Sequence, residues 1–329
     1  MTKPRRIVVT DAQLPIAEPI LRALRASSAV EFVGGVATRE DARASLEGDV
    51  EVIPLASDHR AFVAYLRSRD IDTVVQCGLA PDRSGRISAR TEADVIGTMC
   101  TGAAVGHEGS AIRNWVVLSS TSIYPVDSHA SLMQRESAAH ASDPESLQAS
   151  LVEAEDYARD VALRNPQINV SILRLQQLLG EGLCGPLSRV FARSPLPLPI
   201  GFDPPIQFLH AEDAAAAACF AVLHELAGVF NVASEGQIRW SAAARAAGGT
   251  EVPVLPIGAS AFASLLDRFR VPHLPDDVID LARFGQVVDT AKLERAGFRP
   301  KHDQLTCLRA IQEDREVEGR EPTTRTEVE

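Results

Sequence analysis

The chain has 329 residues, 45% of them hydrophobic, and its 33 basic and 44 acidic residues give a formal net charge of −11. That much apolar sequence is enough for one large core or two modest ones. The negative charge and the lack of a basic run argue against nucleic acid and anionic membranes as partners, because their phosphates would not be neutralised. We expect a small-molecule ligand instead.

The compartment is predicted from the cysteines and from the lack of a membrane segment. The cysteines are far apart in the sequence and contain no C-x-x-C pair, so neither a disulfide framework nor a zinc site is indicated. They are Cys77, Cys100, Cys184, Cys219 and Cys307. No apolar stretch reaches the ~20 residues that span a bilayer, and the basic start is followed by a strand rather than a signal segment. We expect a cytoplasmic protein.

Residues 6–24 have the pattern of a buried strand that runs into an amphipathic helix. A dinucleotide-binding domain begins in this way, with a glycine-rich turn that lets backbone N–H groups approach a pyrophosphate. Here the turn contains no glycine. We expect Asp11 to cap the helix and repel another anion, and Leu14 to fill the space that phosphates need.

Strands and helices alternate after this unit, which predicts an α/β protein with a doubly wound, mainly parallel sheet. The predicted strands cover residues 31–37, 50–55, 72–77, 115–118 and 172–174, and the helices 60–69, 92–106 and 145–163. The second strand ends at Val36, where an acidic residue commonly binds the adenosine ribose. Arg39 follows and suits a 2′-phosphate, but we interpret it as a surface loop residue.

The run Ser119-Ser120-Thr121-Ser122-Ile123-Tyr124 follows the fifth strand, and further fragments follow in order at residues 207–213, 229–233, 288–290 and 297–300. With these fragments the chain resembles the extended, NAD-dependent epimerase/dehydratase branch of the short-chain dehydrogenase/reductase superfamily, in particular UDP-galactose 4-epimerase-like proteins. The resemblance implies a Rossmann-like domain of residues 1–178, to which 206–233 return, and a small substrate lobe of residues 179–205 and 234–311. It also implies a homodimer that pairs through the helices at 92–106 and 145–163. The charged residues 312–329 are predicted to be a disordered tail.

The functional motifs of that family have changed in this chain. Its three glycine positions fall on Asp11, Leu14 and Ala17, and its Tyr-x-x-x-Lys pair falls on Leu147 and Leu151. The chain has no Tyr-x-x-x-Lys anywhere, because its only lysines are Lys3, Lys292 and Lys301. The proline that borders the nicotinamide is replaced by Leu175. From these changes and Val36 we expect no cofactor, neither NAD nor NADP; the alternative is an NAD(P)-dependent epimerase, dehydratase or reductase with unusual motifs.

We therefore expect a redox-inactive protein that binds a small apolar metabolite and catalyses a cofactor-independent, redox-neutral step in secondary metabolism. The step would be a cyclisation, an isomerisation or a dehydration, and a non-catalytic partner or scaffold protein is the competing hypothesis. Ser120 and Tyr124 would orient a carbonyl, and His129 or Glu136 would move a proton; His140 is a further loop histidine. The predicted substrate contacts are Ser122, Leu147, Leu151, Leu175, Gln176 and Gln177. His210 is interpreted as a strand end, and Asp213 as the N-cap of the next helix.

Overall fold

The structure is a computed structural model that describes residues 4–37, 50–53, 59–79, 87–138, 147–180, 186–191, 196–254 and 276–318. Its strands are β1 (Arg5–Thr10), β2 (Val30–Ala37), β3 (Val50–Val52), β4 (Thr73–Gln76), β5 (Asn114–Ser120), β6 (Met133–Gln134), β7 (Asn169–Leu175), β8 (Leu178–Leu179), β9 (Leu196–Pro199), β10 (Pro205–Ile206), β11 (Leu209–His210), β12 (Gly228–Val232), β13 (Ile238–Arg239), β14 (Glu251–Val254) and β15 (Val287–Val288). Its helices are α1 (Ala17–Arg25), α2 (His59–Ser68), α3 (Ile87–Val105), α4 (Leu147–Arg164), α5 (Pro186–Phe191), α6 (Ala211–Leu223), α7 (Trp240–Ala246), α8 (Asp276–Phe284), α9 (Ala291–Arg295) and α10 (Gln304–Glu318).

Seven strands form one sheet in the order β12-β7-β5-β4-β1-β2-β3. Every pair in it is parallel. The sheet contains residues 7–9, 32–36, 74–76 and 116–118, so the predicted doubly wound α/β fold is confirmed. Because all its strands run the same way, their carboxyl ends meet at one edge, where ligands bind in open α/β sheets.

Helices cover both faces of this sheet, as its apolar strands require. All seven residues of β5 and all four of β4 are buried, which is typical of a parallel sheet. One apolar cluster joins the sheet to α1 and α6, and a second joins it to α2, α3 and α4. Helices α3 and α4 approach closely at Gly102, where a Cβ atom would lie 2.6 Å from Tyr157 Cε1.

A third apolar cluster gathers α5, α7, α8 and α10 around Phe191 and Trp240. Two short sheets, β9 with β14 and β10 with β13, lie in the segments expected to form the substrate lobe. The division into a domain and a lobe stays a prediction. No helix in the described ranges has the length and the apolar character needed to cross a membrane.

The chain end differs from expectation, because α10 continues to Glu318 rather than ending where a disordered tail was expected from residue 312. Glutamine, glutamate and arginine, which are frequent there, are good helix formers even without an apolar face. The rest of the expected tail, residues 319–329, lies outside the described residues.

Candidate functional site

Ser120, Ser122 and Leu175 lie at the carboxyl edge of the sheet. Ser120 ends β5 and is the register partner of Leu175 at the end of β7. Its hydroxyl accepts the Ser122 N–H at 3.1 Å and donates to Ser122 Oγ at 3.0 Å. The short 3-10 turn of residues 121–123 that Ser120 caps therefore fixes the two hydroxyls side by side.

Tyr124 is buried, and its hydroxyl has two partners. It donates to Asn231 Oδ1 at 2.7 Å and accepts from Arg174 Nη1 at 2.8 Å. Burial raises the pKa of Tyr124 above its ordinary value, although the nearby Arg174 guanidinium offsets part of the shift. The hydroxyl therefore stays protonated at neutral pH and links β7 to β12.

A fully buried ion pair between Arg174 and Glu155 lies next to Tyr124. Arg174 Nη2 is 2.7 Å from Glu155 Oε2, and both side chains have 0% exposure. Ser119 donates to Glu155 Oε1 at 2.6 Å, and Arg159 to Oε2 at 2.6 Å. Burial alone would lower the pKa of Arg174, but the hydrogen bonds and charge of Glu155 raise it above its usual value. Buried charges persist only when they are paired in this way.

Sequence reasoning did not assign a site role to Arg174 or Glu155. The available signal was an arginine inside the apolar strand sequence Ile172-Leu173-Arg174-Leu175, because a cation on a buried strand needs an acidic partner. Nothing in the sequence identified the partner, since Glu155 lies 19 residues away on another element.

Glu136 belongs to the same polar network, and His129 does not. Glu136 Oε1 accepts the Asn231 N–H at 3.0 Å, and its backbone carbonyl accepts from Arg174 at 3.2 Å. His129 is exposed in a turn where its backbone N–H donates to Asp127 at 2.7 Å. Their catalytic roles stay predictions, and His140 lies outside the described residues.

Gln176 is part of a buried amide cluster. Its Oε1 accepts from Thr121 Oγ1 at 2.6 Å and from the Gln177 N–H at 3.1 Å. Gln286 Nε2 donates to the Thr121 carbonyl at 3.1 Å, so a residue far along the chain closes the cluster. The predicted contact of Gln176 and Gln177 with substrate stays a prediction.

Leu151 and Leu175 contribute to the core rather than to an open surface. Leu151 is 3% exposed in the cluster with Tyr124, and Leu175 is 0% exposed in the cluster beneath α1 and α6. Leu147 begins α4, and its side chain lies outside the described part of the structure. Their contact with a ligand also stays a prediction.

The turn after β1 contains no glycine, but one of its residues has a backbone conformation that glycine usually adopts. Asp11 has a φ of 56°, in the left-handed region that glycine adopts most readily. The Ala12 N–H donates to the Val36 carbonyl at 3.1 Å, and the Leu14 N–H to the Asp11 carbonyl at 2.9 Å. The turn is therefore tied to the end of β2.

The side chains of this turn differ from expectation in two ways. Leu14 is partly buried and packs against the apolar cluster beneath the sheet, a contact that the sequence did not predict. Asp11 does not occupy the N-cap of α1; Ile16 does, without a side-chain hydrogen bond. The Asp11 carboxylate instead accepts from Thr10 Oγ1 at 3.1 Å and lies against Gly78, where a Cβ would come within 2.8 Å of it.

The N-cap of α6 is His210 rather than Asp213. His210 Nδ1 accepts the Glu212 N–H at 3.3 Å. Asp213 lies in the first turn of the helix, where its carboxylate accepts the N–H groups of Lys301 and His302 at 2.8 and 3.0 Å. Aspartate is favoured at N-caps, but here the buried Asp213 carboxylate binds the backbone of the loop before α10 instead.

Comparison with solved structures shows which proteins share this architecture. A UDP-Glc/GlcNAc 4-epimerase of Campylobacter jejuni superposes with a TM-score of 0.72 over 95% of this chain and 99% of its own, at 16% identity. A dTDP-glucose 4,6-dehydratase of Bacillus anthracis in complex with NAD gives 0.69 over 95% and 97%, at 14% identity. This chain shares the fold of these epimerases and dehydratases, which is the Rossmann-like fold that the resemblance implies.

Sequence comparison gives relatives without an assigned activity, and no family model matches the chain. Two uncharacterized proteins, of Mycobacterium tuberculosis and Mycobacterium bovis, are 31% identical over 245 residues, which are 73% of this chain. The match spans 65% of the length of these relatives.

The prediction that this chain takes no cofactor is wrong in the light of these structures. The B. anthracis dehydratase was solved with NAD. So was a UDP-glucuronic acid 4-epimerase of Bacillus cereus, which superposes with a TM-score of 0.66 over 95% of this chain and 99% of its own, at 16% identity. The physical reason lies in the β1–α1 turn. Asp11 and Leu14 were expected to spoil the phosphate site, yet Asp11 has the left-handed backbone conformation that glycine adopts most readily, and Leu14 is partly buried against the apolar cluster beneath the sheet.

Proposed function

We propose that the protein binds an NAD-type dinucleotide, together with a small organic molecule, at the carboxyl edge of its sheet. The turn of residues 11–17 and the end of β2 at Val36 would hold the dinucleotide. The observation that carries the proposal is the left-handed Asp11 turn, which lies in a fold whose solved structures include NAD complexes. A bound dinucleotide supplies a nicotinamide ring that accepts and returns hydride.

The left-handed turn supports a bound dinucleotide, but the proton relay of the family is missing from the sequence. No Tyr-x-x-x-Lys exists in the chain, and the Tyr124 hydroxyl is held between Asn231 and Arg174. The chain therefore lacks the pair of groups that a tyrosine–lysine proton transfer requires. At the edge itself, the hydroxyls of Ser120 and Ser122 are hydrogen-bonded to each other, and a ligand that exchanged this bond for its own would have a carbonyl or hydroxyl group oriented by them.

The proposed reaction is redox-neutral overall, either an isomerisation or a dehydration. Epimerases and dehydratases are the named activities of the proteins that share the fold. A secondary-metabolic role, a cytoplasmic location and an apolar substrate remain predictions.

The test is a conversion assay with NAD present, using nucleotide sugars and apolar hydroxy-carbonyl compounds as candidate substrates. We expect the product to be an isomer or a dehydrated form, with no accumulation of reduced nicotinamide over many turnovers. Ser120→Ala should lower turnover by about tenfold to a hundredfold, whereas Ser131→Ala on the exposed loop should not. Reduced nicotinamide that accumulates in step with product would contradict the proposal.

A non-catalytic partner protein is the second candidate, and one observation favours it. The Tyr124 hydroxyl and the Glu136 carboxylate are both committed to neighbours inside the fold. If this candidate is correct, the protein binds the dinucleotide but converts no substrate, and Ser120→Ala leaves its cellular effect unchanged.

We also propose a homodimer that forms through α3 and α4. These helices pack against each other, and each exposes a large apolar side chain, Met99 at 46% and Leu163 at 80%. Light scattering should give a dimeric mass for the native chain and a monomeric mass for Leu163→Glu. Leu305→Glu, which changes a 47% exposed leucine on α10, is the matched control and should stay dimeric. A monomeric native chain would contradict the proposal.

A further inference from the structure

Two histidines and a glutamate meet where α6 begins. His210 ends β11, Glu212 lies in the first turn of α6, and His302 precedes α10. One nitrogen of each histidine and one carboxylate oxygen of Glu212 all lie within 4.8 Å of one another. His302 Nε2 is 3.7 Å from Glu212 Oε2. The two imidazole rings stack with their centroids 3.9 Å apart and their planes 19° apart.

A buried carboxylate fixes the backbone of both histidines. Asp213 is 1% exposed and accepts the His302 N–H at 3.0 Å and the Lys301 N–H at 2.8 Å. It also accepts from Ser234 Oγ at 3.1 Å, and that hydroxyl in turn accepts the His210 N–H at 3.0 Å. One acid therefore holds the two segments together. Its Oδ1 also lies 3.1 Å from His302 Nδ1, and a carboxylate at the second ring nitrogen is usual for a metal-ligating histidine.

We propose that His210, Glu212 and His302 form a zinc site that joins the start of α6 to the loop before α10. Two imidazoles and a carboxylate are donors that zinc prefers, with a water molecule as the fourth ligand. Tetrahedral zinc holds such donors roughly 3.3 Å apart, so the donors must move closer together and the two imidazoles must turn out of their stacked arrangement to point at one metal. Glu212 is exposed and free to rotate towards the metal. A metal on His210 Nδ1 would replace the long 3.3 Å bond from the Glu212 N–H.

The site has a structural consequence, because a metal that binds only the folded chain stabilises it by mass action. The site uses none of the residues proposed for the dinucleotide or the substrate.

The test is a zinc titration of the untagged chain in competition with a chromogenic chelator, with thermal unfolding as a second readout. We expect one zinc per chain and a higher melting temperature with zinc. His210→Ala and His302→Ala should each weaken binding at least tenfold. His224→Ala is the matched control: His224 caps the other end of α6 and stacks on Phe220 with a centroid distance of 3.9 Å, and its loss should leave zinc affinity unchanged.

Three results would overturn the site: no zinc bound by the native chain, native affinity in the His210 and His302 variants, or an equal loss in His224→Ala. If circular dichroism shows that the two histidine variants are unfolded, the zinc affinity of Glu212→Gln tests the site instead. That substitution changes an exposed side chain, so it should leave the fold intact. A several-fold weaker affinity in Glu212→Gln would support the site, and an unchanged affinity would overturn it.

Discussion

The carboxyl ends of β5 and β7 and the turn after β1 lie at the same edge of one sheet, yet they accommodate polar groups differently. Beside β5 and β7, the buried charges of Arg174 and Glu155 compensate each other, and Tyr124 and Asn231 extend the network. In the β1 turn, Asp11 has a left-handed backbone. Burial, and then the Asp11 carboxylate, raise the pKa of the neighbouring Cys77 thiol well above its usual value.

The Arg174–Glu155 pair is a polar group that stabilises the fold, whereas Asp11 has a backbone conformation that costs free energy. A non-glycine residue in the left-handed region costs about 1 kcal/mol or more, and such strain is concentrated at ligand-binding turns. The paired charges of Arg174 and Glu155, by contrast, satisfy each other without a ligand. We therefore expect substitutions in the network to change stability, and substitutions in the turn to change dinucleotide affinity.

The largest effect is expected for Glu155→Ala. It leaves the Arg174 guanidinium buried without its partner, which should lower the free energy of unfolding by about 3–5 kcal/mol. Urea unfolding at neutral pH measures the change. Glu153→Ala, on the exposed face of the same helix, should cost less than about 1 kcal/mol. Equal losses in the two variants would show that the ion pair does not hold this region together.

Tyr124→Phe should have a smaller effect. It removes the hydroxyl between Asn231 and Arg174 while the ring stays in the core, so we expect a loss of about 1–2 kcal/mol. The same unfolding experiment measures it, and dinucleotide affinity should not change. A variant that unfolds normally but no longer binds dinucleotide would place Tyr124 in the ligand site instead.

The stability difference between the native chain and Tyr124→Phe should also depend on pH, and this is a still smaller effect. Because burial raises the pKa of Tyr124 in the folded chain, its protonated hydroxyl contributes stability that is fully present below the unfolded pKa of about 10. That contribution is lost as the pH rises through the folded pKa. Unfolding curves from about pH 8 to about pH 11 should therefore show the native chain and Tyr124→Phe converging in stability. A stability difference that stays constant over this pH range would contradict a raised pKa of Tyr124.

The sheet was predictable because several of its strands are apolar runs, such as residues 115–118, and because helices follow β1, β3 and β4 in the described part of the chain. The register that pairs Ser120 with Leu175 is known only from the structure. The Arg174–Glu155 pair and the Gln176–Gln286 cluster were not predictable, since both join elements distant in sequence. The turn was misjudged because residue types were read without their conformation, and the sequence does not reveal the φ of Asp11.

Calorimetric titration with NAD of the native chain, Asp11→Gly and Asp70→Gly tests the central claim most directly. Asp70 is also left-handed, with a φ of 49°, but it follows α2 at the opposite edge of the sheet, so its variant relieves similar strain without touching the turn. We predict that the native chain and Asp70→Gly bind NAD equally. Asp11→Gly, which removes an anion from the phosphate turn, should bind about tenfold more tightly, or about 1.4 kcal/mol. No binding by either the native chain or Asp11→Gly would contradict the account.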